Sequence, residues 1–365
     1  MAARVIPALG ILLIGVALYL VLWPVSVEPV AWSAPPAPAA TGPYARNDRL
    51  KALEHLPIGP HHGPEAIALD ADGRIHASTR EGKIVRLRPD GSRPAAWADT
   101  GGAPLGMRFD AAGNLVVADA HRGLLRIAAD GRVTVLATEA DGLPIAYADD
   151  LDIARDGRIY FSDASTKFGA RRWQGTYSAS LLEIVEHRGN GRLLVWEPAT
   201  GKATTLVRSI HFANGVALAP DGGSVLVAET GSYRVLRYWL GGPRRGQTEP
   251  VIENLPGFPD NVTRGLDGRF WVALISPRSG VLDALADKPF LRTVLLRLPG
   301  FLLPGPAPLS HVLAFDATGK VLASLQDPDG GYRQTTSALE TREHLYIGSL
   351  EMPVIGRLRK EVAGL

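Results

Sequence analysis

The sequence predicts an all-β protein, a six-bladed β-propeller carried on an N-terminal transmembrane anchor helix. A recurring phrase is the first observation: an apolar run, a turn signal, and a second apolar run. It occupies residues 66–77 around Asp72-Gly73 and residues 106–118 around Ala112-Gly113. It returns at 151–161 around Asp156-Gly157, at 216–227 around Asp221-Gly222 and at 262–272 around Asp267-Gly268. Each copy reads as two short strands joined where Gly tolerates the positive φ of a tight turn. The period, roughly 40 residues or more, is the second observation, and such self-similarity is the signature of a propeller with one small sheet per copy. The apolar N-terminus is the third.

Composition bounds the rest. A chain of 365 residues suits one large all-β domain, and 46% hydrophobic residues suit a folded chain with one greasy segment. The net charge of +2 comes with no basic stripe, so no nucleic-acid partner is expected. With no Cys, the chain has no disulfide, no thiolate chemistry and no Cys-based zinc site.

From the N-terminus, residues 5–23 are almost wholly apolar and about long enough to span a bilayer. Arg4 is the charge that precedes them, and Arg46 is the next basic residue. That asymmetry places the N-terminus inside and the propeller toward the periplasm or cell exterior. Tyr19, Trp23 and Trp32 suit the membrane–water interface. We therefore divide the chain into an anchor (1–24), a Pro/Ala-rich extended tether (25–48) and the propeller (49–365). A cleaved signal peptide is the competing reading, with Ala37-Pro38-Ala39 as its small-residue site, but that site lies far beyond the apolar run.

The copies are unevenly spaced. The step from Gly157 to Gly222 holds a polar and aromatic insertion at 167–177. The step after Gly268 holds a Leu- and Pro-rich stretch at 276–308. Within it, Val281, Leu282 and Leu285 recur at helical spacing, which predicts a helical excursion or lid over 276–301 that shelters an apolar substrate or rests on a membrane surface. A final copy is read from His311 through Leu345-Tyr346-Ile347-Gly348, giving about six blades.

Four polar signatures stand just before an inner strand: Gly63-Pro64-Glu65, Ala148-Asp149-Asp150, Phe212-Ala213-Asn214-Gly215 and Phe258-Pro259-Asp260-Asn261. In a propeller these positions face the axial mouth, so Glu65, Asp149, Asn214 and Asp260 converge from four blades. Hard oxygen donors in a ring suit Ca²⁺ or a similar divalent cation. Unscreened, the carboxylates raise one another's pKa. The plainer alternative is that Asp or Asn at such a place caps its own loop.

Phe212-Ala213-Asn214-Gly215-Val216-Ala217-Leu218, Val227-Ala228-Glu229-Thr230 and Asn254-Leu255-Pro256-Gly257-Phe258-Pro259-Asp260-Asn261 resemble the strictosidine synthase-like family, most closely its membrane-anchored branch. Ala118-Asp119-Ala120-His121-Arg122-Gly123-Leu124, Tyr160-Phe161-Ser162-Asp163-Ala164-Ser165 and Leu345-Tyr346-Ile347-Gly348-Ser349-Leu350 continue the resemblance in the family's order. It implies a six-bladed propeller and a wider kinship with gluconolactonase and paraoxonase-type calcium hydrolases. It also implies that Glu65, Asn214 and Asp260 stand on metal-holding positions, with Asp149 where those relatives usually carry Asn. True strictosidine synthases use a last-blade glutamate to deprotonate an amine. Alignment on Leu345-Tyr346-Ile347-Gly348 puts Thr336 there, a poor base, so the alkaloid-forming reaction is not expected.

His121 is a candidate acid/base beside the mouth. His211 is expected to line the same mouth, while His61, His62, Arg171, Arg172 and Trp173 read as solvated. Asp163-Ala164-Ser165 lacks the context of a nucleophilic serine. The expected activity is metal-dependent hydrolysis of a small-molecule ester or lactone. The metal ligands would be Glu65, Asp149, Asn214 and Asp260, and the catalytic residues Asp260, His121 and Asp149. A non-catalytic binding propeller and a metal-free lyase are the alternatives, since fold alone does not settle function.

Overall fold

A computed structural model describes residues 2–302 and 307–365, with side chains from Gly10 onward and excluding Phe301. Residues 303–306 of the Leu- and Pro-rich stretch 276–308 therefore lie outside the described residues, as does Met1 of the predicted anchor. Six sheets stand around one axis. Blades 1 to 5 begin at the inner strands Ile67–Leu69, Pro104–Phe109, Ala148–Ile153, Ala213–Leu218 and Gly257–Arg264 and run outward through successive antiparallel strands. Blade 3 carries two extra two-residue strands at its outer edge, Glu139–Ala140 and Leu143–Pro144.

The sixth blade corrects the sequence reading. His311 belongs to the third strand of blade 5, Ser310–Phe315, and blade 6 begins at Thr335–Glu340. Its outermost strand comes from the other end of the chain: Glu54–Pro57 pairs antiparallel with Val354–Arg359, Leu56 opposite Ile355. The ring is thus closed by joining the two ends of the propeller in one sheet.

The strands form where apolar residues can be buried on both faces. In Phe270–Pro277 the two-residue period sends Phe270, Val272 and Leu274 toward blade 4, and Trp271 and Ala273 toward blade 6. Every adjacent pair of blades shares such an apolar layer. This explains why the strands read as continuous rather than alternating apolar runs. The hairpin turns form as predicted. Gly157 at φ 85° donates its N–H to the Ala154 carbonyl at 3.0 Å, and Gly222 at φ 71° donates to Ala219 at 2.8 Å.

Helix α1 spans Ala2–Leu22, and its side chains are described from Gly10. Among the described residues no helix is long and apolar enough to cross a membrane. Helix α2, Thr176–Glu186, follows the blade 3 insertion and was not foreseen. The predicted helical excursion resolves into α3, Gly280–Ala284, and α4, Pro289–Leu295. Ser279 accepts the Leu282 N–H to cap α3, and Pro289 opens α4, where its missing N–H costs nothing.

The stretch read as a tether is docked. Val30 N–H donates to Glu186 O at 3.0 Å, Trp32 N–H to Ala286 O at 3.1 Å, and Glu28 N–H to the Glu186 carboxylate at 2.8 Å. Arg278 reaches Pro35 O at 2.5 Å. The segment is a strap laid across α2 and the α3–α4 excursion.

Candidate metal centre

The inner strands share one irregularity, and it makes the site. In blade 3 the pairing with the second strand slips between Ala148 and Leu151, in blade 4 between Ala213 and Val216, and in blade 5 between Pro259 and Val262. Blades 2 and 6 slip likewise between Pro104 and Met107 and between Thr335 and Ala338. A bulge bends the strand and re-aims its side chains. The first bulged residue of each blade is Leu105, Asp149, Asn214, Asp260 or Thr336. Glu65 holds the matching place in blade 1: the N–H after it bonds Ser78 Oγ at 3.0 Å, as the N–H after Asp149 bonds Ser162 Oγ at 3.0 Å. The second bulged position abuts the next blade. A Cβ on Gly215 would lie 2.0 Å from Val262 N, which explains a glycine there.

Ligand oxygens of Glu65, Asp149 and Asp260 all lie within 4.8 Å of one another, and all three residues are buried. Burial, then the Asp260 charge, pushes Glu65 well above the ordinary carboxylate range. Burial, then the charges of Glu65 and Asp260, does the same to Asp149. Asp260 is pushed up to about 8, chiefly by burial, with the Asn214 amide beside it opposing the rise. Glu65 Oε2 and Asn214 Oδ1 are buried without a hydrogen-bond partner. Orphaned oxygens beside crowded carboxylates are a costly arrangement that a divalent cation satisfies, so the residues present fit such an ion.

Neighbouring groups hold the ring in place. Asn261 Nδ2 donates to Glu65 Oε1 at 3.0 Å. Thr336 Oγ1 and Ser337 Oγ both donate to the Glu65 carbonyl at 2.7 Å. Thr336 therefore positions the Glu65 backbone. Asp150 turns the other way and accepts the Val216 N–H at 2.9 Å, and Asp152 accepts the Leu218 N–H at 2.9 Å, stitching blade 3 to blade 4. Asn261 and Asp150 were not singled out from sequence, although the doublets Asp149-Asp150 and Asp260-Asn261 carried the signal.

The mouth is roofed. Tyr147, Phe168, Phe212, Leu105 and Val27 share an apolar cluster with residues of α2 and the strap. Tyr147 donates its hydroxyl to Thr176 O at 3.2 Å and meets Phe212 edge-on at 5.6 Å. Burial, then the charges of Asp149, Glu65 and Asp260, raises its phenol well above the ordinary value.

The remaining sequence candidates lie around this centre. His121 is partly buried outside the carboxylate group, with its backbone N–H on Asp119 Oδ1 at 3.0 Å and its Nε2 buried without a partner. His211 Nδ1 lies 2.8 Å from Glu229 Oε1, and its ring stacks on His187 at 4.1 Å. His187 stacks in turn on Trp32 of the strap at 4.0 Å, and burial followed by the His211 charge lowers its pKa to about 3. Ser165 donates to Glu183 at 2.6 Å, a structural bond. His61, expected to be solvated, has its Nδ1 buried near Glu81, whereas the His62 side chain is exposed. The cavity lined by Asp70, His76, Trp97 and Phe109, about 400 Å³, opens at the opposite end of the strands and is separate from the ring.

The signature of the family described as strictosidine synthase matches residues 149–243, and that described as strictosidine synthase-like, N-terminal, matches residues 42–87. Strictosidine synthase-like protein 10 of Arabidopsis thaliana is 35% identical, over 80% of this chain and 84% of its own. Adipocyte plasma membrane-associated protein of Rattus norvegicus is 34% identical, over 91% of this chain and 92% of its own. Among solved structures, a gluconolactonase from Xanthomonas campestris superposes with a TM-score of 0.62 at 19% identity, covering 84% of this chain and 88% of that one. The calcium-binding protein regucalcin from Agrobacterium tumefaciens does so with 0.59 at 17% identity, covering 84% and 93%. The structural matches show the shared propeller fold. The two sequence relatives, aligned over four-fifths or more of their length, show that this chain belongs to the strictosidine synthase-like family.

Proposed function

We propose that the protein is a membrane-anchored hydrolase of esters or lactones that works with a divalent cation, Ca²⁺ above all, in the mouth of the propeller. The observation that carries this reading is the convergence of Glu65, Asp149 and Asp260 within 4.8 Å, buried, with the Asn214 oxygen unpartnered beside them. The gluconolactonase and regucalcin names of fold neighbours are consistent with it.

Glu65, Asp149, Asn214 and Asp260 would hold the ion, whose chemistry is to polarise a carbonyl oxygen and stabilise the charge that develops on it. The chain's own groups do the rest. Asn261, Thr336 and Ser337 fix Glu65 in one orientation. Asp149, a carboxylate of the ring, would accept a proton from the attacking water. Water oxygen bonds the carbonyl carbon, the bond to the alkoxy oxygen breaks, and the leaving oxygen takes the proton back. Asp260 supplies a further catalytic carboxylate of the ring, and His121, whose Nε2 is buried without a partner, is the other candidate acid/base. The roof of Tyr147 and Phe212 limits bulk water. Thr336, committed to the Glu65 carbonyl, leaves the amine-deprotonating role of the family's synthases without a base at this position.

For localisation, we read α1 as the membrane anchor. Ile11, Leu12, Leu13, Ile14 and Leu22 of α1 are exposed in the folded chain, which suits lipid rather than water.

The test is hydrolysis of a panel of aryl esters and lactones by the wild type and by Asp260→Ala, with and without chelator. The wild type is expected to turn over at least one substrate and to lose that activity on chelation. Asp260→Ala is expected to lose it while keeping a cooperative melt. An active Asp260→Ala protein would refute the mechanism. The roof over the ring favours one second reading, a cation that only ties the blades together: chelation would then lower the melting temperature with no hydrolysis in any sample.

A further inference from the structure

Both long insertions leave the propeller from the mouth end of their blades. Helix α2 lies between the strands Ile159–Asp163 and Gly191–Glu197, and α3 and α4 lie between Phe270–Pro277 and Ser310–Phe315. Their inward residues, among them Ala179, Leu182, Leu282 and Leu296, share one cluster with Val25 and Val27 of the strap. The outward residues are apolar too. Tyr177 and Leu181 on α2, Val281 on α3, Phe290 and Leu291 on α4, and Leu302 beyond it are all exposed. Single exposed apolar residues are ordinary, but six on the insertions of one end of the molecule form an unpartnered face.

The chain itself indicates what covers that face. Arg297, just past α4, donates from Nε to Trp23 O at 2.6 Å and from Nη1 to Leu20 O at 2.9 Å. These bonds pin the end of α1 against the α3–α4 insertion. Tyr19 and Trp23, in contact at 5.6 Å between ring centroids, mark the same end of α1, and such amphipathic rings sit at headgroup level. Whatever surface α1 leaves, the exposed side of α2, α3 and α4 lies beside it. Arg171 and Arg172 flank the face, exposed and without an ion pair among the described residues, and are suited to lipid phosphates.

We infer that the mouth face of the propeller rests on the bilayer that holds α1, with α2, α3 and α4 immersed at the headgroup–acyl boundary, so that the roofed site draws its substrate from the membrane surface. The inference rests on the reading of α1 as an anchor. It also gives that reading a geometry: the propeller lies against the membrane instead of swinging on a tether. Side chains in such a position reach roughly 5–10 Å into the boundary.

The absence of Cys makes the test direct. Full-length Leu181→Cys and Phe290→Cys proteins, each carrying an environment-sensitive fluorophore on the new thiol, are reconstituted at about one chain per vesicle in phosphatidylcholine with anionic phosphatidylserine. Val135→Cys and Val362→Cys serve as controls, since these apolar residues are just as exposed (43% and 61%) but lie away from the mouth insertions. The expected result is blue-shifted emission at 181 and 290 that nitroxide-labelled lipid quenches, and neither effect at 135 and 362. Chains that float with the vesicles while 181 and 290 stay unquenched would overturn the inference and leave the anchor standing. Chains that fail to float would overturn both. A blue shift at 290 that appears only in detergent and grows with protein concentration would assign the face to a second copy of the chain, and would equally overturn the inference.

Discussion

At the residue scale, the site depends on where the inner strands break their own period. A regular strand would turn Asp149 and Asp150 to opposite faces, and the bulge instead gives them separate tasks. Asp149 points into the ring, while Asp150 and then Asp152 bind N–H groups of blade 4. Asp152 also pairs with Arg264 at 3.0 Å. Asp152→Ala leaves the buried Leu218 N–H unpaired, which costs about 1–3 kcal/mol. Denaturant unfolding is expected to show that loss without a change in cation content, because Asp152 lies outside the carboxylate group. The polar signatures before four of the inner strands were legible in the sequence as candidate oxygen donors, and three of those residues, Glu65, Asp149 and Asp260, come together in the fold. The bulge was not legible. It arises from backbone pairing between strands, so Asn261, Asp150 and the role of Thr336 emerged only with the fold.

At the scale of elements, the two-residue period and the Gly turns made the blades readable, and helical spacing at Val281, Leu282 and Leu285 marked the excursion. Two elements escaped. Helix α2 follows an insertion whose polar and aromatic residues show no periodicity of their own. The strand Glu54–Pro57 escaped because four residues carry little pattern, and its partner strand lies almost 300 residues away in sequence. That strand nevertheless covers the edge of Val354–Arg359 and completes blade 6 as a four-stranded sheet. Leu56, 4% exposed, sits in the layer shared by blades 1 and 6 with Ile58, Ile67 and Tyr346. Leu56→Ala is expected to lower stability by about 2–5 kcal/mol. Limited proteolysis should then cut first in the segment leading to residue 54. Unchanged stability and an unchanged cleavage pattern would show that closure does not depend on this strand. The strap is a similar case: Pro and Ala predicted an extended tether, whereas the Glu186, Ala286 and Arg278 contacts that dock the segment are long-range and have no local signature.

At the scale of the whole molecule, six blades bring residues nearly 200 positions apart, Glu65 and Asp260, into one acidic centre beneath an apolar roof. That centre sets a pH dependence whose sign follows from its proton affinities. Asp260 has a folded value of about 8 against 3.8 for an exposed carboxyl. In the cation-free protein, the stability due to its protonated form is fully present below about pH 4 and is lost as pH rises through 8. Glu65 and Asp149 shift in the same direction. A cation must displace these protons, so binding should release protons and tighten as pH rises. The most direct measurement is a calorimetric calcium titration of the detergent-solubilised full chain at pH 6 and at pH 8, repeated in buffers of different ionisation enthalpy. About one site per chain is expected, with proton release and tighter binding at pH 8, and no site in Asp260→Ala. Absence of a site in the wild type, or equal binding by Asp260→Ala, would contradict it.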